Sequence, residues 1–138
     1  PMIAAAIVEV GARFGMTAAR VPFEPGSPWL MRWWAGKIAR RFRRAGVMVN
    51  DRVAGLAYSG AFDRTKMRSA LAALGEGITE IYCHPATKDV FAGSVAGYMY
   101  RAELAALLDP EVRAALAQSG AETGNFAAFL KGDFQHKP

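Results

Sequence analysis

An α/β fold, part of a (β/α) barrel with mostly parallel strands, is what this sequence predicts, on two observations. Short apolar runs bounded by turn residues alternate with longer segments whose apolar residues recur at helical spacing, and strands alternating with helices form βα units with a parallel sheet. The chain has 138 residues, whereas a closed (β/α) barrel typically needs about 250, so three or four βα units fit and the barrel is expected to be partial.

The elements follow in order. Pro1 suits a first helical turn, Ile3, Ile7, Val10 and Phe14 lie at helical spacing, and Gly15 suits a stop, so a helix is expected over 2–14. Thr17 to Val21 reads as a short strand ended by Pro22 and a turn-rich stretch over 24–28. A helix from Pro28 to Arg44 ends before Gly46, and the apolar run Val47 to Val49 breaks at Asn50-Asp51. Asp63 caps a helix through Leu74, Ile78 to Cys83 is a strand, and 84–98 is a loop containing Pro85, Gly93 and Gly97. Tyr100 to Leu108 is a helix, and Asp109-Pro110 is the N-cap and first turn of another, which runs to Gln118 and stops at Gly120. Residues 1–130 are therefore expected to be the partial barrel, and 131–138 a polar, frayed tail.

Composition narrows the class. At 52% apolar and 21% charged residues the chain lies far from the disordered regime. Cys83 is the one cysteine, which excludes an internal disulfide and points to a reducing compartment, so a cytoplasmic location is expected. No apolar run approaches the ~20 residues of a membrane span, and the apolar start contains Glu9 and lacks a basic leader region. The net charge of +5 is concentrated, with Lys37, Arg40, Arg41, Arg43 and Arg44 inside one short stretch. No RNP, helix-turn-helix or zinc pattern accompanies these cations, so no specific nucleic-acid partner is expected. Walker, dinucleotide-binding, HExxH, CxxC and GxSxG patterns are absent from the sequence as well.

In parallel α/β folds function concentrates on the loops that follow strand C-termini. Arg20 ends the first strand, Asn50 and Asp51 follow the second, and Glu80, Tyr82 and His84 lie toward the end of the third, on one face by period-2 alternation. His84 is a candidate proton donor and acceptor because imidazole titrates near ~6.5, although its spacing alone fits a capped or exposed loop histidine better. Asn50, Asp51 and Tyr82 are candidate contacts for substrate hydroxyls, and Asn-Asp is also a common turn pair. Cys83 faces away from His84 by alternation, which argues against a Cys-His nucleophile pair. Arg101 and Glu103 read as helix-surface or interhelix charges.

Four segments, 12–25, 50–60, 78–86 and 100–108, carry a resemblance. They include Phe14-Gly15-Met16-Thr17, Arg20-Val21-Pro22, Asn50-Asp51-Arg52-Val53 and Thr79-Glu80-Ile81-Tyr82-Cys83-His84-Pro85. In order and spacing they resemble the YdjC-like carbohydrate deacetylases and, within them, the hopanoid-associated HpnK branch. The resemblance implies a distorted, TIM-like (β/α) barrel that removes N-acetyl groups from amino sugars with a divalent metal held by one Asp and two His. For the HpnK branch it implies an N-acetylglucosaminyl hopanoid as substrate.

The implied metal ligands have no counterpart in this chain, whose two histidines are His84 and His136. It is therefore expected to be the C-terminal portion of a larger enzyme, to hold no metal by itself, and to be inactive alone. Its open sheet edges should pair with the missing N-terminal half or with another copy. The resemblance favours His84 as the acid that protonates the leaving amine, and Glu80, on the same face by alternation, is its orienting partner, a sugar contact or an ordinary polar contact of the barrel interior. Arg20-Val21-Pro22 resembles the Arg-x-Pro turn in which the arginine pairs with a catalytic carboxylate. A noncatalytic, oligomeric half barrel is the alternative.

The helix over 28–44 adds an expectation about location. Leu30, Trp34, Ile38 and Phe42 form one apolar stripe, and Trp29, Trp33, Arg40, Arg41 and Arg44 suit peripheral contact with an anionic membrane. The same pattern fits an outer barrel helix with a solvated charged face.

Overall fold

Ten elements appear over residues 2–131, the residues that the computed structural model describes. Pro1, His136 and the polar tail over 132–138 lie outside the described residues. The chain divides into two units, one running to Arg52 and joined by the residues from Glu122 onward, the other spanning Val53–Ala121.

The first unit contains α1 (Met2–Arg13), β1 (Ala18–Ala19), α2 (Trp29–Arg44), β2 (Met48–Val49) and α6 (Phe126–Lys131). β1 and β2 pair in parallel, with Ala18 opposite Met48 and Ala19 opposite Val49. α2 buries Ala35, Ala39 and Phe42, which join Ala4, Val21, Val47 and Val49 in the core. Small residues at i and i+4 let the helix backbone approach its neighbours. The expected apolar stripe is corrected here, since Leu30 and Trp34 are 48% and 36% exposed and only Ile38 and Phe42 pack inward. α2 ends as its glycine predicts. Gly46, at φ 73°, donates to the Arg43 carbonyl at 3.0 Å, while Val47 donates to Phe42 at 3.0 Å and carries the chain into the core.

The second unit contains α3 (Arg64–Ala72), β4 (Thr79–Ile81), α4 (Tyr100–Leu108) and α5 (Pro110–Ser119), together with Val53 and Ala54 of β3 (Arg52–Ala54). β3 pairs with β4, and the Tyr82 amide extends the pairing by donating to Ala54 at 2.9 Å. Phe62, Met67, Leu71, Ala106 and Val112 form the core, and Ile81 and Cys83 pack against it. Asp63 and Asp109 are the N-caps of α3 and α5, as their sequence positions predict, and Gly120 stops α5 at φ 66°.

The fold is mixed α/β with short strands and six helices among the described residues. Their four strands form two separate two-stranded sheets, so the expected continuous sheet is not seen and no barrel is closed. The sequence reading also missed β3, which follows directly on the polar Asn50-Asp51 pair, and α6, whose N-cap signal is the Asn125 side chain accepting from the Ala128 amide at 2.9 Å.

Candidate active site

β4 ends in the second unit by presenting alternate side chains to opposite sides. Ile81 and Cys83 turn to the apolar core, whereas Tyr82 and His84 meet on the other side, with ring centroids 4.7 Å apart and the His84 Nε2 3.0 Å from the Tyr82 hydroxyl. Burial, together with the negative charge of Glu103, pushes the Cys83 thiol up. Cys83 therefore stays protonated and packs as an apolar group.

The loop after His84 brings further aromatic rings to it. Tyr98 lies 5.1 Å from His84 between centroids, and Tyr100 and Phe91 continue the series. The Tyr98 hydroxyl shares a 3.0 Å hydrogen bond with Ser59. Gly60 makes this packing possible, because a β-carbon there would run into the Tyr98 ring and its φ of 78° disfavours any other residue. The Met99 amide donates to the Gly60 carbonyl at 2.7 Å, which fixes the loop to the segment before α3.

Beneath this cluster lies Glu103, on the buried face of α4 with Tyr100 and Ala106. Its Oε1 accepts from the Phe62 amide at 3.0 Å and its Oε2 accepts from the His84 amide. The sequence reading placed Glu103 at a helix surface or between helices, and the structure buries it completely. The missed signal was its spacing, three residues after Tyr100 and three before Ala106, which puts it on the buried face of the helix. The His84 side chain is 26% exposed, so the imidazole is within reach of solvent while its backbone is anchored from below.

The remaining sequence candidates divide between the units. Glu80 is half-buried on β4. Arg20, directly after β1, is exposed. Asn50 is 2% exposed, and its side chain accepts from the Val21 amide at 2.7 Å and donates to the Val21 carbonyl at 2.9 Å. Asp51 accepts from Arg43 at 2.6 Å on the surface. Trp33, Arg40, Arg41 and Arg44 are exposed on α2. The structure thus assembles His84 and Tyr82 within one unit and holds Arg20, Asn50 and Asp51 in the other.

A family model described as YdjC-like protein matches residues 1–118. The chain belongs to the YdjC-like family. Members of this family are carbohydrate deacetylase-like, which places the YdjC-like chain among hydrolases of carbohydrate metabolism at family level. No curated protein and no solved structure matches it.

The metal implied by the resemblance does not fit the residues present. Among the described residues no group of three or more His, Cys, Asp or Glu is placed to hold an ion, and both oxygens of the acid nearest His84, Glu103, already accept from backbone amides. What the His84 cluster offers is proton transfer, because an imidazole nitrogen beside a phenol, near solvent, can accept or deliver a proton. A cleft of about 750 Å³ between α3 and α5 is lined instead by residues such as Leu71 and Gln118, and its arginines are taken by acids, Arg64 by Asp109 and Arg68 by Glu111.

Proposed function

We propose that the protein takes part in removing the N-acetyl group from an amino sugar, with His84 supplying the proton that the leaving amine requires. The observation that carries this reading is the His84 imidazole at the end of β4, partly exposed, with Nε2 3.0 Å from the Tyr82 hydroxyl and its backbone held by buried Glu103. In the reaction a water oxygen bonds to the acetyl carbon, the carbon–nitrogen bond breaks, and the amine nitrogen takes a proton as acetate leaves. Protonated His84 can donate that proton from Nε2. Tyr82 is positioned to share a hydrogen bond with the same nitrogen or with a sugar hydroxyl.

We further propose the HpnK branch and an N-acetylglucosaminyl hopanoid substrate, on the support of the four segments that resemble that branch. Glu80 is assigned to a sugar hydroxyl, Asp51 to the substrate side of β2, and Arg20 to pairing with a catalytic carboxylate, whereas the expected substrate contact by Asn50 is corrected because its buried side chain is spent on the Val21 backbone. That carboxylate and the ligands of a divalent metal belong, in this reading, to a part of the enzyme outside the described residues, within a larger (β/α) barrel. The residues described here are assigned proton transfer and positioning alone.

A lipid substrate fits the outward side of α2. Trp29 and Trp33 are 77% and 45% exposed, Lys37 sits 3.9 Å over the Trp33 ring, and Arg40, Arg41 and Arg44 are exposed beyond them. We assign this face to peripheral contact with anionic headgroups on the cytoplasmic side, where each cation contributes roughly 1 kcal/mol. No described helix is long and apolar enough to cross a membrane.

The test is acetate release from an N-acetylglucosaminyl lipid in anionic vesicles, with added divalent metal. It compares the 138-residue chain alone with a longer polypeptide in which the chain is joined to the metal-binding N-terminal half that this reading requires. The longer polypeptide is expected to be active and its His84→Gln variant to lose about a hundredfold or more in rate. An unchanged rate in His84→Gln would remove the proposed role, and Arg40, Arg41 and Arg44 changed to Glu without loss of vesicle co-sedimentation would remove the membrane contact.

A further inference from the structure

We infer that Glu103 is the positioning residue of His84: its buried carboxylate keeps the neutral imidazole with the proton on Nδ1 and so leaves Nε2 as the nitrogen that exchanges protons at the surface.

Glu103 is the one charged side chain buried among the described residues. Burying a carboxylate is costly, and two backbone donors could be served by a neutral acceptor, so hydrogen bonding to Phe62 and His84 does not by itself explain a charge at this position. The second feature is the place of the imidazole nitrogen Nδ1. His84 Nδ1 is buried, has no hydrogen-bond partner, and lies 3.8 Å from Glu103 Oε2. A nitrogen lone pair close to a carboxylate oxygen is repelled, whereas an N–H close to it is attracted, and burial of both atoms strengthens the difference. The tautomer with hydrogen on Nδ1 is therefore the one the site favours.

The other side of the ring agrees with this assignment. With Nδ1 protonated, Nε2 carries the lone pair and accepts from the Tyr82 hydroxyl at 3.0 Å. The ring neighbours of the imidazole bring no charge of their own. Tyr98 presents its ring at 5.1 Å with its hydroxyl bonded to Ser59, and Cys83, on the opposite face of the strand, is held as a thiol. Glu80, four residues earlier and half-buried on β4, is the acid of the strand that leads to His84. When His84 gains a proton at Nε2, the negative charge 3.8 Å from Nδ1 offsets the new positive charge without moving the ring. This inference takes its functional meaning from the proposed deacetylation, but the tautomer can be measured whether or not acetate is released.

The experiment is long-range ¹H–¹⁵N correlation NMR on the ¹⁵N-labelled 138-residue chain, at a pH where the imidazoles are neutral, with His136→Gln used to assign the two histidines. Wild type is expected to show the Nδ1–H form of His84 in at least about tenfold excess. Tyr82→Phe should keep that form dominant, and Glu103→Gln should move the ratio toward Nε2–H. A dominant Nε2–H form in wild type overturns the inference, as does loss of the Nδ1–H form in Tyr82→Phe, which would make the phenol the determinant. An unchanged ratio in a folded Glu103→Gln also overturns it. Should Glu103→Gln fail to fold, wild type and Tyr82→Phe still decide the question.

Discussion

At the scale of single residues, Asn50 does with one side chain what a neighbouring strand does with its backbone. Its amide oxygen takes the Val21 N–H and its amide nitrogen serves the Val21 carbonyl, both bonds buried. Removing it leaves two buried backbone groups without partners. Asn50→Ala is therefore expected to lower stability by about 2 kcal/mol, measured as a fall in the urea midpoint. By contrast Asp51→Ala, which breaks only an exposed ion pair with Arg43, should cost under about 1 kcal/mol. Equal losses in the two variants would contradict this reading of Asn50. Adjacent in sequence, both residues read as polar loop groups, and nothing in their letters separates the tether from the surface charge. Glu103 makes the same point, since its charge suggests a surface and its neighbours place it inside.

At the scale of elements, the helix caps are where local sequence has most authority. Asp63 accepts from the Lys66 amide at 3.0 Å and from the Lys66 ammonium at 2.7 Å, and these bonds hold its carboxyl below the usual carboxylate range. A depressed carboxylate stabilises the fold above its unfolded-state pKa, near 3.9, and that contribution is lost as pH falls through the lower folded value. Asp63→Ala should thus cost about 1 kcal/mol at pH 7, and the gap from wild type should close below about pH 4. Urea titrations at pH 7 and pH 3 check this, and an equal gap at both would refute the assignment. Solvent screening keeps the charge component modest because Asp63 is partly exposed. Asp109 behaves in the same direction. Burial opposes its ionisation, while the Glu111 and Val112 amides and Arg64 outweigh that and hold its carboxyl down. On α2 the local signal fixed the element but not its face. Leu30, Trp34, Ile38 and Phe42 are spaced for a stripe, yet the inward side is set by Ala35 and Ala39, whose small side chains permit closer packing.

At the scale of the whole molecule, the four strands of the described residues make two sheets of two strands each. Such short sheets leave backbone donors and acceptors on their outer edges, and α1 and α2 expose Met2, Ile3 and Trp29 at 85%, 78% and 77%. We propose that these edges and faces associate with a second copy or with the remainder of a larger barrel. Light scattering after size exclusion should accordingly give a mass above the monomer that rises with protein concentration. A constant monomer mass across a hundredfold range would sink the idea.

The first five helices, the two aspartate caps, the stops at Gly46 and Gly120, and the family were legible in the sequence, because each rests on short-range chemistry or on residues in register along the chain. The alternation that sets Tyr82 and His84 together and Cys83 apart was legible for the same reason. Only the tertiary structure decided that Glu103 is buried under His84, that Asn50 clasps Val21, that Gly60 makes room for Tyr98, and that the strands form separate pairs. Those facts depend on groups 19 to 41 residues apart coming within hydrogen-bond distance. A linear pattern records a residue's neighbours along the chain, and burial is decided by neighbours in space.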